Sequence, residues 1–303
     1  MTVKSNRRNR IREGSRTATV LLYALAILIG LITLYPMYYV LILSVSDPSA
    51  AMTMRVYTVP KGFSLSSYAL LVRDSSMWRA YANTILYILP TTLIMLATCV
   101  MAAFPLTVKG LRFRRFINTY LLIPMYFSGG MIPSFLLIVK LGLYDHPLSQ
   151  ILPACFSIWN IILTKAYLSS IPEALREAAR IDGANVYQTL LQVYLPMSKP
   201  ILAVIAVYTI VGVWNSWFNA MVYLPHTTWQ PLQLYLRRVL VENTAVLTRT
   251  LSADEALEKA LKMMSTAQLK YAMIIFTTLP VLCAYPFFQR YFIKGIMLGS
   301  LKE

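Results

Sequence analysis

Six stretches of roughly 20 mainly apolar residues, at about 19–44, 83–106, 116–139, 148–168, 200–224 and 270–293, constrain this chain more than any other feature. Wound as an α-helix, a run of that length matches the ~30 Å hydrocarbon core of a bilayer. A segment in lipid must also satisfy its own backbone hydrogen bonds, which a helix does. The expected fold is therefore all-α: a polytopic membrane protein with six transmembrane helices, forming one transmembrane domain over residues 1–303. Composition agrees, because only 13% of residues are charged, about half of the roughly 25% usual in soluble domains.

A basic arm, residues 1–18, precedes the first run and carries Lys4, Arg7, Arg8, Arg10, Arg12 and Arg16. The apolar stretch behind it is far longer than the roughly 7–15 residues of a secretory signal core, so it reads as a retained span. With the arm in the cytoplasm, the inward segments also hold Lys109, Arg112, Arg114, Arg115, Lys165, Arg176, Arg180, Lys199, Arg290, Lys294 and Lys302, and thus 17 of the 28 Lys and Arg. That bias, sharpest in KGLRFRR at 109–115, places both the N- and the C-terminus in the cytoplasm. The net charge of +16 is distributed by membrane side and interrupted by spans. It therefore does not form a nucleic-acid footprint, and no nucleic-acid partner is expected.

Polar residues exclude further classes. Cys99, Cys155 and Cys283 fall inside the runs without paired metal spacing, so they read as core residues and no metal is expected. His146 and His226 stand alone in outward loops, as solvated or locally bonded side chains. None of the twelve acidic residues lies well inside a run, whereas ion-coupled carriers usually place one near the bilayer midplane. A membrane-embedded enzyme would need His, Asp or Glu clustered at one depth, and the sequence supplies no such catalytic set. There is no GxxxxGK[ST] phosphate loop either. This chain is expected to be no enzyme and to hold no cofactor. If it moves anything uphill, the energy arrives from a partner. A stand-alone channel or carrier is the alternative.

The inward loop 169–199 is the segment equipped to receive such a partner. It reads SSIPEALREAARIDGANVYQTLLQVYLPMSK. Pro172 after Ser169 and Ser170 starts a helix in which Glu173, Arg176, Glu177 and Arg180 share one face and Ala174, Ala178 and Ile181 another. Gly183 ends or bends it. Asn185 with Gln188 forms a capping-box pattern for a second helix, which gathers Val186, Leu190, Val193 and Tyr194 on one side. A hairpin with an apolar face is expected to pack on its own bundle or on a second protein.

Glu177, Ala178 and Ala179, then Gly183, then Val193, Tyr194, Leu195 and Pro196 have the spacing of the EAA signature. The chain thereby resembles the membrane subunits of binding-protein-dependent ABC importers, with Val193 standing where the signature favours Ile. EAARIDGA with Asp182, WNSWF at 214–218 and the ending QRYFIKGIMLGSLKE are similar to the carbohydrate branch, related to maltose-importer inner-membrane subunits. FSGGMIP at 127–133 and WQPLQLYLRRVL at 229–240 resemble a sub-branch associated with complex oligosaccharides.

The resemblance implies a coupling loop, with Glu173, Glu177, Ala178, Ala179, Asp182, Gly183, Leu195 and Pro196 at the contact with an ATPase. Glu177 would make the polar contact, Ala178 and Ala179 would permit close approach, and Gly183 would supply the turn. It implies as partners a second, homologous permease, two copies of a cytoplasmic ABC ATPase that bind ATP and Mg, and an extracytoplasmic solute-binding protein. The location would be a bacterial inner or cytoplasmic membrane. The substrate would be an oligosaccharide, though importers of peptides, amino acids or phosphate keep such a loop too.

Sugar faces stack on aromatic rings and their hydroxyls need amide or hydroxyl partners. On that chemistry the pathway candidates are Ser128, Gly129, Gly130, Asn160, Trp214, Asn215, Trp217 and Phe218, together with Trp159 and Asn219 beside them. Their alternative roles are interfacial anchors and helix contacts. The outward loops 45–79 and 225–269 are too short for folded domains. The second contains a helical pattern, SADEALEKALKMM, that is a candidate contact for the binding protein.

Overall fold

The computed structural model describes residues 16–53, 56–245, 268–284 and 286. The basic arm before residue 16, the SADEALEKALKMM pattern and the C-terminal QRYFIKGIMLGSLKE lie outside them. Among the described residues there is no strand. The chain divides into two compact units, residues 1–68 with 251–275 and residues 69–250 with 276–303.

In the first unit, α1 (Arg16–Val45) is an apolar helix of 30 residues, about 45 Å long at 1.5 Å per residue. Almost all of its side chains from Ala18 to Tyr38 are open to the surroundings. An all-round apolar helix of that length is a bilayer element. Its end turns inward, where Ile42 and Leu43 join Ala51 of α2 (Pro48–Thr53) and Val56 in a small core against Tyr39 and Tyr271. The amide of Gln268, fully buried, closes this unit. Its Oε1 accepts from the hydroxyls of Ser66 (3.2 Å) and Ser67 (2.9 Å), while its Nε2 donates to the carbonyls of Ser44 (3.2 Å) and Ser64 (2.9 Å). Ser66 opens α3 (Ser66–Arg73), and Gln268 lies in α15 (Gln268–Ala284).

The second unit is built around α4 (Ser75–Thr107), 33 residues long. Asp74 caps it by accepting from the Ser76 amide at 2.8 Å. Burial acts to raise the Asp74 carboxyl, but hydrogen bonds from the Tyr235 hydroxyl and the first helical amides outweigh it and hold it below its usual value. The predicted second run began at about 83, and α4 starts eight residues earlier because that cap and the ring cluster of Trp78, Tyr81 and Phe276 extend it.

The C-terminal half of α4 packs on α8 (Ile158–Leu168) and α12 (Lys199–Trp214). Met95, Cys99, Ala103 and Phe104 meet Ile161 and Leu168, and Ile201, Val204 and Ile205, in the main core. Cys99 and Cys155 are buried thiols, as expected, while Cys283 is exposed. The N-terminal half of α4 holds the segment after the fifth run. Asn83 donates to the carbonyls of Thr228 (2.8 Å) and Gln230 (3.0 Å), Thr84 accepts from the Leu232 amide (2.9 Å), and Tyr87 donates to Trp229 (2.5 Å). Positions 83, 84 and 87 share one helical face, so a polar stripe on an apolar helix docks the start of α14 (Leu232–Ala245).

Three predicted runs are interrupted. Residues 116–139 form α5 (Arg114–Tyr126) and α6 (Met131–Lys140), bent by 107° at the break. Residues 148–168 form α7 (Leu148–Ala154) and α8, and residues 200–224 form α12 and α13 (Phe218–Tyr223). Backbone freed by a break needs a replacement partner. Thr98 of α4 supplies one by donating to the Cys155 carbonyl at 3.0 Å. At the break after α12 the Asn215 side chain adds a second bond, at 2.9 Å, to the Val211 carbonyl that already accepts from the Asn215 amide. Among the described residues, three helical segments, Ala18–Val45, Ser75–Thr107 and Leu148–Leu168 across its short break, are long and apolar enough to cross a membrane, or up to five if each bent pair counts as one.

Replacing Gln268 by Leu would leave the Ser44 and Ser64 carbonyls without their donor. We expect a loss of about 1–3 kcal/mol of stability, read as a lowered midpoint of thermal unfolding in mild detergent. An unchanged midpoint would remove Gln268 as the closure of the first unit.

Candidate functional site

The loop following α8 folds as two helices held by their own termini. α9 (Glu173–Ile181) starts after Pro172 at φ −56°, a value proline adopts without strain. Ser169 and Ser170 make no side-chain cap to it. At its other end the Ala184 amide donates to Ala179 (2.9 Å) and the Gly183 amide to Arg180 (3.2 Å). This is a Schellman termination, whose left-handed position is Gly183 at φ +80°. Asn185 and Gln188 then form the reciprocal capping box, each side chain accepting from the other's amide at 2.8 Å.

The second helix, Val186–Met197, starts as α10 (Val186–Gln188), widens to a π-turn over Thr189–Tyr194 and ends as α11 (Leu195–Met197). A 73° bend at Ser198 separates it from α12. The Ser198 hydroxyl and amide both donate to the Tyr194 carbonyl, at 2.5 and 2.9 Å, which supports the backbone at the bend.

Tyr194 anchors this loop to the core. Its ring is buried edge-on against Phe104 of α4, with centroids 5.0 Å apart, and Leu190 and Val193 pack beside it. Ala179 is also buried within the chain. Its smallness therefore serves packing of α9 on the π-turn. The four charged residues expected on one face of α9 divide. The chain's own surface covers the edge of their arc that carries Arg176 and Ala179. Glu173 accordingly turns inward, where Lys109, from the turn after α4, and Arg176 both ion-pair with its carboxylate. Glu177, Ala178 and Arg180 remain outward.

Ile181 (85% exposed) and Tyr187 (77%) extend that outward surface with Val186 and Leu191. Between the helices lies a 280 Å³ cleft lined by Ala179, Asp182, Gly183, Ala184, Gln188, Gln192 and Val193. Asp182 is thus at a cleft edge, Pro196 is exposed, and Leu195 is half-buried. The resulting surface is small, apolar and acid-tipped, and is suited to docking. The role of Lys109 was not read from sequence, although its position just past a long apolar run brings it to the same membrane face as α9.

The pathway candidates separate into three groups. Asn160 and Trp214 are buried. Asn160 donates toward the Met95 sulfur (3.7 Å), and Trp214 lies edge-on to Tyr81. Ser128, Gly129 and Gly130 form the exposed elbow between α5 and α6. There the Gly130 amide donates to the Ser128 hydroxyl at 3.1 Å, and Gly130 takes φ +85°, which favours glycine. Asn215, Trp217 and Phe218 are exposed at the break after α12, and Trp159 is exposed on α8. Beside that break is a 220 Å³ cleft lined by Tyr87, Gln150, Ala154, Gly212, Val213, Ser216, Asn219 and Pro231. Gln150 and Ser216 were missed in the sequence. The signal available was polar residues inside apolar runs. Of the lone histidines, His226 pairs through Nδ1 with Asp145 Oδ2 at 2.5 Å. His146 Nδ1 accepts from the Leu148 amide at 3.2 Å.

The hydrogen bond from Lys109 is the largest influence on the Glu173 carboxyl; burial opposes it, and with the further hydrogen bond from Arg176 the carboxyl is held below its ordinary value. A depressed carboxyl contributes stability that is present above the unfolded value and lost as pH falls through the folded one. Amide exchange over 173–181, corrected for intrinsic pH dependence, should therefore accelerate as pH drops below the model-compound value of 4.5. At neutral pH, Lys109→Glu should accelerate it about twofold, and Lys109→Glu with Glu173→Lys should restore protection. No response to either change would dissolve the clamp.

Residues 96–297 match the family of binding-protein-dependent transport system inner membrane components. Protein LplC of Bacillus subtilis (strain 168) is 31% identical over 274 residues, 90% of this chain and 91% of that protein. The polygalacturonan/rhamnogalacturonan transport system permease protein YtcP of the same organism is 29% identical over 95% of this chain and 99% of its own. A chain from a crystal structure of a bacterial ABC transporter involved in import of the acidic polysaccharide alginate superposes with a TM-score of 0.80. It is 34% identical and covers 92% of this chain and 98% of that one. With the family match spanning two thirds of the chain and both EAA-loop helices inside it, the chain belongs to the binding-protein-dependent transport system inner membrane components.

Proposed function

We propose that this protein is one permease subunit of an ATP-driven importer. With a second, homologous permease it forms the pathway for an oligosaccharide delivered by an extracytoplasmic binding protein. The observation that carries this reading is the two-helix loop, anchored by Tyr194 and Glu173 to its own α4 while Glu177, Ala178 and Ile181 face away. Such a loop transmits force. A partner pushing on its outer surface moves the inner end of the core helices, because the inner surface is already packed. Two copies of a cytoplasmic ATPase, binding ATP and Mg, supply the push, and alternating access follows as the helices rock about the pathway. The protein resides in a bacterial cell membrane with six spans and both termini cytoplasmic, in keeping with the charge distribution. The oligosaccharide class rests on the relatives that transport polygalacturonan/rhamnogalacturonan and alginate, and on the amide- and hydroxyl-lined cleft at the WNSWF break.

Three substitutions test the coupling role. Ala178→Trp places bulk on the outer surface. Gly183→Ala meets no atom within 4 Å but keeps φ at +80°, at a cost of about 1–2 kcal/mol. Gly183→Pro cannot reach that φ at all. In mild-detergent purification of the tagged protein, we expect an ATPase and a second permease to co-purify with wild type. The ATPase should be lost with Ala178→Trp and Gly183→Pro, partly retained with Gly183→Ala, and membrane insertion should be unchanged in all. Full retention of the ATPase by Ala178→Trp and Gly183→Pro would contradict the proposal.

A further inference from the structure

Around the Glu173 clamp lies a cleft of 170 Å³ that holds more positive charge than the clamp consumes. Lys109, Arg114 and Arg176 line it, with Glu173 as its one carboxylate. Lys109 and Arg176 are both paired with Glu173. Arg114, half-buried at the start of α5, has no ion pair among the described residues. It also lies close enough for its charge to act on Lys165 of α8, like charge on like, while Lys165 donates to the neutral amide of Asn118, Oδ1, at 2.7 Å. Ser169 adds a hydroxyl to the cleft, and Tyr194 lines it while being only 3% exposed. The Tyr194 hydroxyl has no hydrogen-bond partner among the described residues. Nor is it sealed in, since the buried unpartnered side-chain atoms there belong to Thr91, Thr92 and Gln230. It therefore opens on the cleft.

A half-buried guanidinium without a counter-charge is costly. Lys109 and Arg176 keep further N–H donors after pairing with Glu173, so cations from the α4–α5 turn, α5 and α9 border one small space that an anion would neutralise. At 170 Å³ that space lies well below the roughly 300 Å³ at which drug-sized sites begin. It suits a single phosphate group. The position of the cleft says where the phosphate comes from. Thr107, which ends α4, and Ser169, which follows the end of α8, both line it, so it sits where long apolar segments stop, at headgroup depth. Beside it α5 buries no side chain, and its start exposes Phe113, Phe116 and Tyr120 as apolar surface for an acyl chain. Basic pockets between spans at a membrane face bind anionic headgroups, and a guanidinium matches phosphate oxygens. We propose that this cleft binds the phosphate of an anionic phospholipid, with Arg114 as its main cation and the Ser169 and Tyr194 hydroxyls as further donors. The bound lipid braces α9 against the α4–α5 turn. This goes beyond the importer reading and needs only that the turn lies at a membrane face.

The test uses the complex purified from membranes and reconstituted in phosphatidylcholine nanodiscs. The probe is phosphatidylglycerol with an unaltered headgroup and a diazirine at the head of one acyl chain. Phosphatidylcholine carrying the same diazirine is the comparison. After illumination, phosphatidylglycerol should label peptides covering 107–118 or 165–176 in preference to phosphatidylcholine. Arg114→Gln should lower that labelling about tenfold, the scale of one charge-assisted hydrogen bond, and Arg114→Lys should keep part of it. Arg115→Gln, at an exposed position outside the cleft, should change it much less. Millimolar inorganic phosphate should not compete. Equal labelling by the two lipids, no loss with Arg114→Gln in an intact complex, or equal loss with Arg115→Gln would overturn the site. Displacement of the label by inorganic phosphate would assign the cleft to a soluble anion and overturn the lipid. A complex that transports without labelling would overturn the site and leave the importer reading intact.

Discussion

The edge of Tyr194 against Phe104 is the contact on which the coupling geometry depends. Without it the two helices after α8 would be a solvated excursion between spans, able to move without moving anything else. With it, the π-turn joins the same core that packs α4 against α8 and α12. The ion pairs of Glu173 with Lys109 and Arg176 add a second attachment on α9. Exposed ion pairs contribute little individually, so the aromatic contact holds the loop to the core and the clamp orients α9.

A second constraint is the need to satisfy backbone groups in lipid. The interruptions at Cys155–Ser157 and Asn215–Trp217 would be costly in hydrocarbon if their carbonyls were left open. Thr98 reaches across from α4 to the Cys155 carbonyl, and after α12 the Ser216 amide donates to the Val213 carbonyl at 3.1 Å. A side chain thus replaces a lost helix bond at the first break, and a tighter backbone turn does so at the second. The breaks also create features a smooth helix bundle would lack, namely a polar cleft and an exposed Trp–Phe pair with a guanidinium over it.

Much of this was legible in the sequence because it is local. The positions of the apolar runs, the Gly183 termination and the Asn185–Gln188 capping box each depend on residues within a few positions of one another. The EAA spacing located the loop for the same reason. What was not legible depends on distant partners. A helical wheel puts Glu173 and Glu177 on one face, but only the position of Lys109, more than sixty residues earlier, decides that Glu173 turns inward. Asn160 and Trp214 looked like pathway residues by type, and the structure buries both, Asn160 beside Met95 and Trp214 beside Tyr81. Continuous runs concealed the breaks, since Ser128–Gly130 and Asn215–Ser216 are too short to lower the apolar average of a long window.

The central claim is that the outer surface of the loop meets an ATP-hydrolysing partner while its inner surface meets α4. A photo-crosslinking amino acid placed in turn at Ile181, 85% exposed, and at Ala179, 9% exposed, tests it most directly in membranes holding the full complex. The account predicts that position 181 captures the ATPase in a nucleotide-dependent way and that position 179 yields only cross-links within the chain. Capture of the ATPase from neither position, with the complex shown to be intact and transporting, would contradict it.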